Sequence, residues 1–248
     1  MIIAPQQYDA VLFDLDGVLT MTMKIHASCW KRMFDAYLQD RSARFGETHQ
    51  PFDSVSDYQA YVDGKLRYDG VRSFLASRRI VLPEGIPADT PDLDTVCGLG
   101  NRKDLLVREM IAGEGVEVLE GSLAVVRRVR ALGLKTAVVS ASKNCATILA
   151  AAGIRDLFDC IVDGVVADRL GLPGKPAPDT FLTAARELQV APRRAVVVED
   201  AISGVQAGRA GGFGLVIGID HHGDKRVLQD NGADIVVEDL AEILDIDP

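Results

Sequence analysis

The sequence predicts an α/β protein: an open, mostly parallel sheet covered by helices, with a helical insert after its first strand. Three observations predict it. From about residue 113 onward, apolar runs of strand length alternate with segments of helical periodicity, the pattern of successive βα units. A lone apolar run, Ala10 to Phe13, stands far upstream of that alternation. Between the two, from Lys24 to about Met110, apolar residues recur at helical spacing and no strand is discernible. The predicted core domain is therefore discontinuous, residues 1–21 and 112–248, and the insert is residues 22–111.

Composition agrees with that architecture. The 248 residues suffice for a core and a smaller unit. Hydrophobic residues make up 48% and charged residues 25%, the balance of an ordinary globular protein. A formal net charge of -9 and a pI near 4.9 argue against a nucleic-acid surface, which needs a basic stripe. The cysteines, Cys29, Cys97, Cys145 and Cys160, form no Cys-x-x-Cys pair and fit a reducing compartment rather than a zinc site. The segment Met1 to Gln7 lacks the basic-then-apolar order of a signal peptide, and no apolar run approaches the ~18 residues that span a bilayer. The expectation is a cytoplasmic protein that binds neither membrane nor nucleic acid, with a monomer as the plausible state.

The elements follow in order. After the strand Ala10–Phe13 comes a hinge-like Thr20-Met21-Thr22. Trp30, Met33, Phe34, Tyr37 and Leu38 mark an amphipathic helix from about Lys24 to Gln39. Residues 40–57 read as a long polar loop containing Gly46 and Pro51. Val71, Phe74 and Leu75 suggest a short helix, residues 83–91 a turn-rich linker, and Leu105, Leu106, Glu109 and Met110 a further helix. Gly113-Glu114-Gly115 is the second candidate hinge. Strands are then expected at Leu134–Val139, Phe158–Val162, Ala195–Val198, Leu215–Ile219 and Ile235–Val237. Helices are expected at Asn144–Ala152, Ala177–Leu188 and Ile202–Ala210.

The candidate chemistry sits where strands stop. Asp14 and Asp16 flank one apolar residue at the end of the first strand, so both side chains can share a face. Two close carboxylates repel unless a cation or a shared proton relieves them. Hard divalent cations such as Mg²⁺ favour such oxygen ligands, although a polar turn capping a core strand would read the same way. An EF-hand is excluded, because Gly17 comes too early and the final glutamate is missing. Ser140 follows the second core strand, and Glu199-Asp200 the fourth. Lys175 lies in a loop rich in glycine and proline. In open α/β sheets ligands bind beyond the carboxyl ends of the strands, so these groups are expected to converge there. Acids to hold a metal, a lysine to offset charge and a hydroxyl for phosphate oxygens suit phosphoryl transfer.

These residues carry a resemblance. Asp14-Leu15-Asp16-Gly17, Ser140, Lys175-Pro176 and Glu199-Asp200 are similar, in order, to the four motifs of haloacid-dehalogenase-superfamily phosphotransferases and hydrolases. Gly64-Lys65-Leu66-Arg67, Asn101-Arg102-Lys103 and Ser140-Ala141-Ser142-Lys143-Asn144, with His26 and Trp30, resemble the β-phosphoglucomutase group within it. The resemblance implies a Rossmann-like core, a helical cap whose closure excludes water, Mg²⁺ as cofactor and a small phosphorylated sugar as substrate. It implies Asp14 as nucleophile and Asp16 as general acid/base. Asp14, Asp16 (through its backbone carbonyl), Glu199 and Asp200 would hold the metal. Ser140, Ala141 and Lys175 would hold the transferring phosphate, and Arg67, Lys103, Ser142, Lys143 and Asn144 the rest of the substrate, with Thr22 at the cap hinge. The same residues serve a mutase, whose acceptor is a sugar hydroxyl, or a sugar-phosphate phosphatase, whose acceptor is water. A non-catalytic sugar-phosphate sensor is the third alternative, disfavoured by the intact acids. Two departures fall in the cap: Asp63 stands where the group's pattern has lysine, and the 40–57 segment is long.

Read without the resemblance, Arg67 and Lys103 are solvated surface charges, and His26 is a packed or exposed histidine. His221-His222, adjacent at a strand end without a shared face, reads as a surface loop.

Overall fold

The computed structural model describes residues 2–221, 223 and 225–245. The chain forms two compact units, one of Met1–Thr22 with Val116–Pro248 and one of Met23–Gly115. Among the described residues no helix is long and apolar enough to cross a membrane.

The first unit is built on a six-stranded sheet whose neighbouring strands are all parallel: β1 (Ala10–Phe13), β2 (Lys135–Val139), β3 (Cys160–Val162), β4 (Ala195–Glu199), β5 (Leu215–Ile219) and β6 (Ile235–Val237). Their order is β3-β2-β1-β4-β5-β6. All four residues of β1 are buried, as in a parallel strand covered on both faces, which is why it reads as an unbroken apolar run. One face carries Ala10, Leu12, Ala137, Val139 and Val197. These pack against Phe181, Ala184 and Ala185 of α7 (Asp179–Glu187) and Val205 and Ala207 of α8 (Ile202–Ala210). The remaining helices of this unit are α4 (Glu120–Ala131), α5 (Cys145–Ala151), α6 (Gly164–Leu170) and α9 (Lys225–Asp230).

Three of those helices lie outside the sequence expectation. The buried face of α4, Leu123, Val125, Val126 and Val129, is rich in β-branched residues that weaken a helical signal. Helix α6 is only seven residues long, yet its ends are marked. Asp163 accepts from the N–H groups of Val165 (3.0 Å) and Val166 (2.9 Å), and Gly171 closes it with φ 63°. Six-residue α9 buries only Leu228.

The insert unit contains α1 (Met23–Phe45), α2 (Arg67–Ser77) and α3 (Val96–Glu114), with one π-helical turn over Tyr58–Val62 and no strand among its described residues. Its core centres on Phe34, whose ring lies 5.3 Å from Trp30, 5.5 Å from Phe52 and 3.9 Å from Phe74, centroid to centroid. Helix α1 runs six residues past the expected end at Gln39. Its last turns are polar, and the ion pairs of Arg44 with Asp40 (2.8 Å) and Arg41 with Glu47 (2.6 Å) support them. The loop therefore starts at Gly46, and it is anchored rather than loose. The Phe52 N–H donates to Asp35 (2.7 Å), its carbonyl accepts from Lys31 (2.8 Å), and its ring is buried. At the far end α3 continues through Glu114, with Gly115 as its cap at φ 78°.

Phe52 is the aromatic that fastens the long loop to the insert's core. Phe52→Ala is expected to destabilise the insert unit by about 3–5 kcal/mol, the usual cost of truncating a buried phenylalanine. Chemical denaturation followed by the fluorescence of Trp30 measures it.

Candidate active site

The sheet order reverses at β1, the crevice position of doubly wound folds. Phe13 is level with Val138 on one side and Val198 on the other. The next residue of each strand therefore reaches the same edge: Asp14, Val139 and Glu199. The Asp14 N–H donates to the Val198 carbonyl at 3.0 Å, so the ladder holds the backbone of Asp14 itself. Ser140, one residue beyond β2, is held by its own N–H on the Val162 carbonyl at 3.0 Å.

Lys175 draws the three strand ends together. Its ammonium is buried and donates to Asp14 Oδ1 (2.5 Å) and to the Val139 carbonyl (3.2 Å), and it forms an ion pair with Glu199. An ammonium has three donors, and three acceptors on β1, β2 and β4 face it. The ring of Phe181 lies 5.0 Å from Nζ. Burial pulls the Lys175 pKa down, but the two carboxylates outweigh it and hold the ammonium charged. Burial pushes Glu199 up to about 8, against the opposing pull of Lys175. Burial likewise raises Asp14, with Lys175 opposing it and the charge of Asp16 adding to the rise. One lysine thus leaves the acids short of positive charge.

That shortfall is what a metal would meet. Asp14, Glu199 and Asp200 each offer an oxygen, all within 4.8 Å of one another. The donor set is hard, anionic and made only of oxygen, and so fits Mg²⁺. The surroundings leave little latitude. A Cβ on Gly204 would lie 2.0 Å from the Glu199 carboxyl, and one on Gly17 1.9 Å from Asp200 Oδ2. Gly17 also has φ +86°, which L side chains rarely adopt.

Asp16 occupies the turn after β1. Its N–H donates to Asp14 Oδ2 at 2.9 Å, and its carboxylate accepts from the Thr22 hydroxyl. Thr20 and Thr22 share a hydroxyl contact at 2.8 Å, and Thr20 donates to the Leu15 carbonyl at 3.2 Å. Thr20 and Thr22 are both buried. Beyond β2, Ser140 Oγ accepts from the Ser142 N–H at 3.1 Å and Ser142 Oγ from the Asn144 N–H at 3.1 Å, winding the chain into α5. Ala141 lies in this turn, and its carbonyl would be 2.7 Å from a Cβ on Gly164. Lys143 pairs with Asp168.

In the insert, Arg67 and Lys103 are not solvated charges. Arg67 ion-pairs with Asp104 at 2.6 Å, and both side chains are about 10% and 9% exposed. Asn101 Oδ1 faces Arg67 at 3.4 Å. Lys103 is buried, donates to His26 Nδ1 at 2.6 Å and lies 4.8 Å from the ring of Trp30. His221 is a further correction, and sequence reasoning missed it. Instead of projecting from a surface loop, its Nε2 meets the Gly17 carbonyl at 2.6 Å. His222 lies outside the described residues. Nothing in the local sequence signals that contact, because it joins positions 204 residues apart.

Comparison with known proteins fits this geometry. Residues 8–212 match the haloacid dehalogenase-like hydrolase family. The chain belongs to that family. It is 50% identical over 243 residues, 97% of its length and 93% of the relative's, to a β-phosphoglucomutase of Mycobacterium bovis. It is 36% identical over 130 residues, 51% of this chain and 28% of the other, to a trehalose-phosphate phosphatase of Mycobacterium leprae. Among solved structures, β-phosphoglucomutase of Clostridium difficile superposes with a TM-score of 0.74 at 23% identity, covering 95% of this chain and 93% of that one. The chain is accordingly an enzyme of the phosphomutase and phosphatase branch of haloacid dehalogenase-like proteins.

Replacing Lys175 by methionine keeps the volume but strands two buried carboxylates. In chelator at pH 8, Lys175→Met is expected to lose about 3–5 kcal/mol of unfolding free energy, as when one partner of a buried ion pair is removed. Urea denaturation of the variant beside the parent measures it.

Proposed function

We propose that the enzyme catalyses Mg²⁺-dependent phosphoryl transfer through an aspartyl-phosphate on a small phosphorylated sugar, and that its reaction is the interconversion of glucose 1-phosphate and glucose 6-phosphate. The observation that carries the chemistry is the convergence of Asp14, Lys175, Glu199 and Asp200 at the switch point of the sheet. The choice of a sugar hydroxyl as acceptor is supported by 50% identity, along nearly the whole chain, to a β-phosphoglucomutase.

An Asp14 carboxylate oxygen attacks phosphorus, and the bond from phosphorus to the departing sugar oxygen breaks. Asp16 gives its proton to that oxygen. In the second half Asp16 takes the proton of the acceptor hydroxyl, whose oxygen attacks phosphorus, and the bond to Asp14 breaks. The acid of one half is the base of the other, as microscopic reversibility requires. Lys175 and the Ser140 hydroxyl offset and hold the phosphoryl oxygens. Asp14, Glu199, Asp200 and the backbone carbonyl of Asp16 would hold Mg²⁺, which when bound neutralises phosphoryl charge and keeps the Asp14 carboxylate ionised. In the insert, Arg67, already oriented by Asp104, recognises a non-reacting phosphate. Lys103, Ser142, Lys143 and Asn144 are proposed as further substrate contacts, and Thr22 as the point at which the two units move.

A phosphatase is the second reading. It is favoured by the partial identity to a trehalose-phosphate phosphatase and by Asp63, which puts a negative charge beside Lys65 where the β-phosphoglucomutase pattern has lysine.

Asp14→Asn, nearly isosteric, is expected to fold normally and to lose phosphoryl transfer altogether. Loss of acid-stable, hydroxylamine-sensitive labelling from a radioactive phosphate donor checks it, with wild type in chelator as the metal-free comparison.

Arg67→Ala separates the two readings. In a mutase it is expected to cut kcat/KM for isomerisation by about 10–100-fold, the worth of a charge-assisted contact to phosphate. The measurement follows both anomers of glucose 1-phosphate, with catalytic bisphosphate present, scoring glucose 6-phosphate and free phosphate. Brisk phosphate release by the wild type without isomerisation would establish the phosphatase instead.

A further inference from the structure

The turn that carries Asp16 contains a contradiction. Gly17 must be glycine, because the Asp200 carboxylate fills the space of a side chain and φ is +86°. Glycine is also the residue with the most backbone freedom, placed directly after the residue that must hold a proton in one direction. Something else must restrain it.

Two contacts do so. On one side, the Gly17 N–H donates to the Thr20 carbonyl at 2.7 Å. In a trans peptide the N–H and C=O point in opposite directions, so this bond also sets where the Asp16 carbonyl points. On the other side, the Gly17 carbonyl lies 2.6 Å from His221 Nε2. A carbonyl only accepts, so Nε2 carries the hydrogen and the imidazole donates. His221 stands two residues beyond the end of β5, next to β4 in the sheet. The turn after β1 is thereby tied across β4 to the strand beyond it, by a side chain half-shielded from water.

We propose that His221 is a positioning residue, holding the Gly17 peptide so that Asp16 and its backbone carbonyl keep their catalytic orientation. The proposal rests on the reading of Asp16 as general acid. The hydrogen bond of His221 goes to a backbone carbonyl and not to a side chain. It acts through one backbone carbonyl, and its donor is what matters.

The test compares wild type, His221→Ala and His221→Gln, since the glutamine amide can place a donor near the position of Nε2. The readout is the first-turnover rate of phosphoryl transfer to Asp14 from glucose 6-phosphate and from p-nitrophenyl phosphate. The aryl leaving group departs without a proton, and the sugar oxygen needs the one on Asp16. His221→Ala is expected to lower the sugar-to-aryl rate ratio by roughly five- to tenfold, the worth of one hydrogen bond, and His221→Gln to restore most of it. A ratio, unlike a rate, is unmoved by a fraction of unfolded protein. An unchanged ratio in His221→Ala, or no recovery in His221→Gln, overturns the positioning role. A wild type that transfers from neither substrate defeats the phosphotransfer reading and, with it, this role. The clamp has its own readout in ¹⁵N-labelled protein. The Nε2-bound proton of His221, assigned by its loss in His221→Gln, is expected to exchange slowly with water, and its absence overturns the proposal whatever the activity.

Discussion

The first unit depends on one buried ammonium. Parallel strands leave their last carbonyls and side chains facing a common edge, and at the switch point two of those side chains are carboxylates. Without Lys175 the edge would hold repelling charges in a poorly solvated place. With it, β1, β2 and β4 end on one shared cation, and the apolar sheet beneath continues to its limit without an unpaired acid. Glu199 is fully buried and Gly204 has no side chain, because the carboxylate fills the volume a Cβ would take. The surplus negative charge that remains, on oxygen donors alone, suits the site to a hard cation.

Much of this was legible because it is written at strand ends. Asp14, Ser140 and Glu199 each follow an apolar run, and a parallel sheet leaves the ends of adjacent strands no choice but proximity. Lys175 was legible as a charge set among the acids, but its contact with the Val139 carbonyl was not, since a Gly/Pro loop says nothing of where a long side chain lands. What stayed hidden is of two kinds. The valine-rich helix α4 was masked by local composition, and Phe52 by the polarity of the loop around it. His221 and Asp104 were masked by distance along the chain, and Gly204, though near Glu199 in sequence, by the absence of any side chain to read. Each matters only through a partner that folding brings near: a carbonyl, a guanidinium and a carboxylate.

The insert shows a similar economy of charge. Asp104 accepts from Arg67 and also pairs with Arg108 at 2.8 Å. Lys103 spends its charge on an imidazole and an aromatic face rather than on water. Basic groups held this way are already ordered, unlike the solvated charges that Arg67 and Lys103 would be if read without the family resemblance.

The central strand is also the first to be made. β1 ends at Phe13, whose partners are Val138 on one side and Val198 on the other. On a ribosome adding 5–20 residues per second, the N-terminal segment waits roughly 10–35 s between its own synthesis and that of its second neighbour. Throughout that interval four consecutive apolar residues have both hydrogen-bonding edges open, or only one of them closed. The helical insert emerges meanwhile, with a core of its own that needs none of β1. Of the six strands, β1 therefore waits longest for a partner, and it is the strand whose end places Asp14 and Asp16.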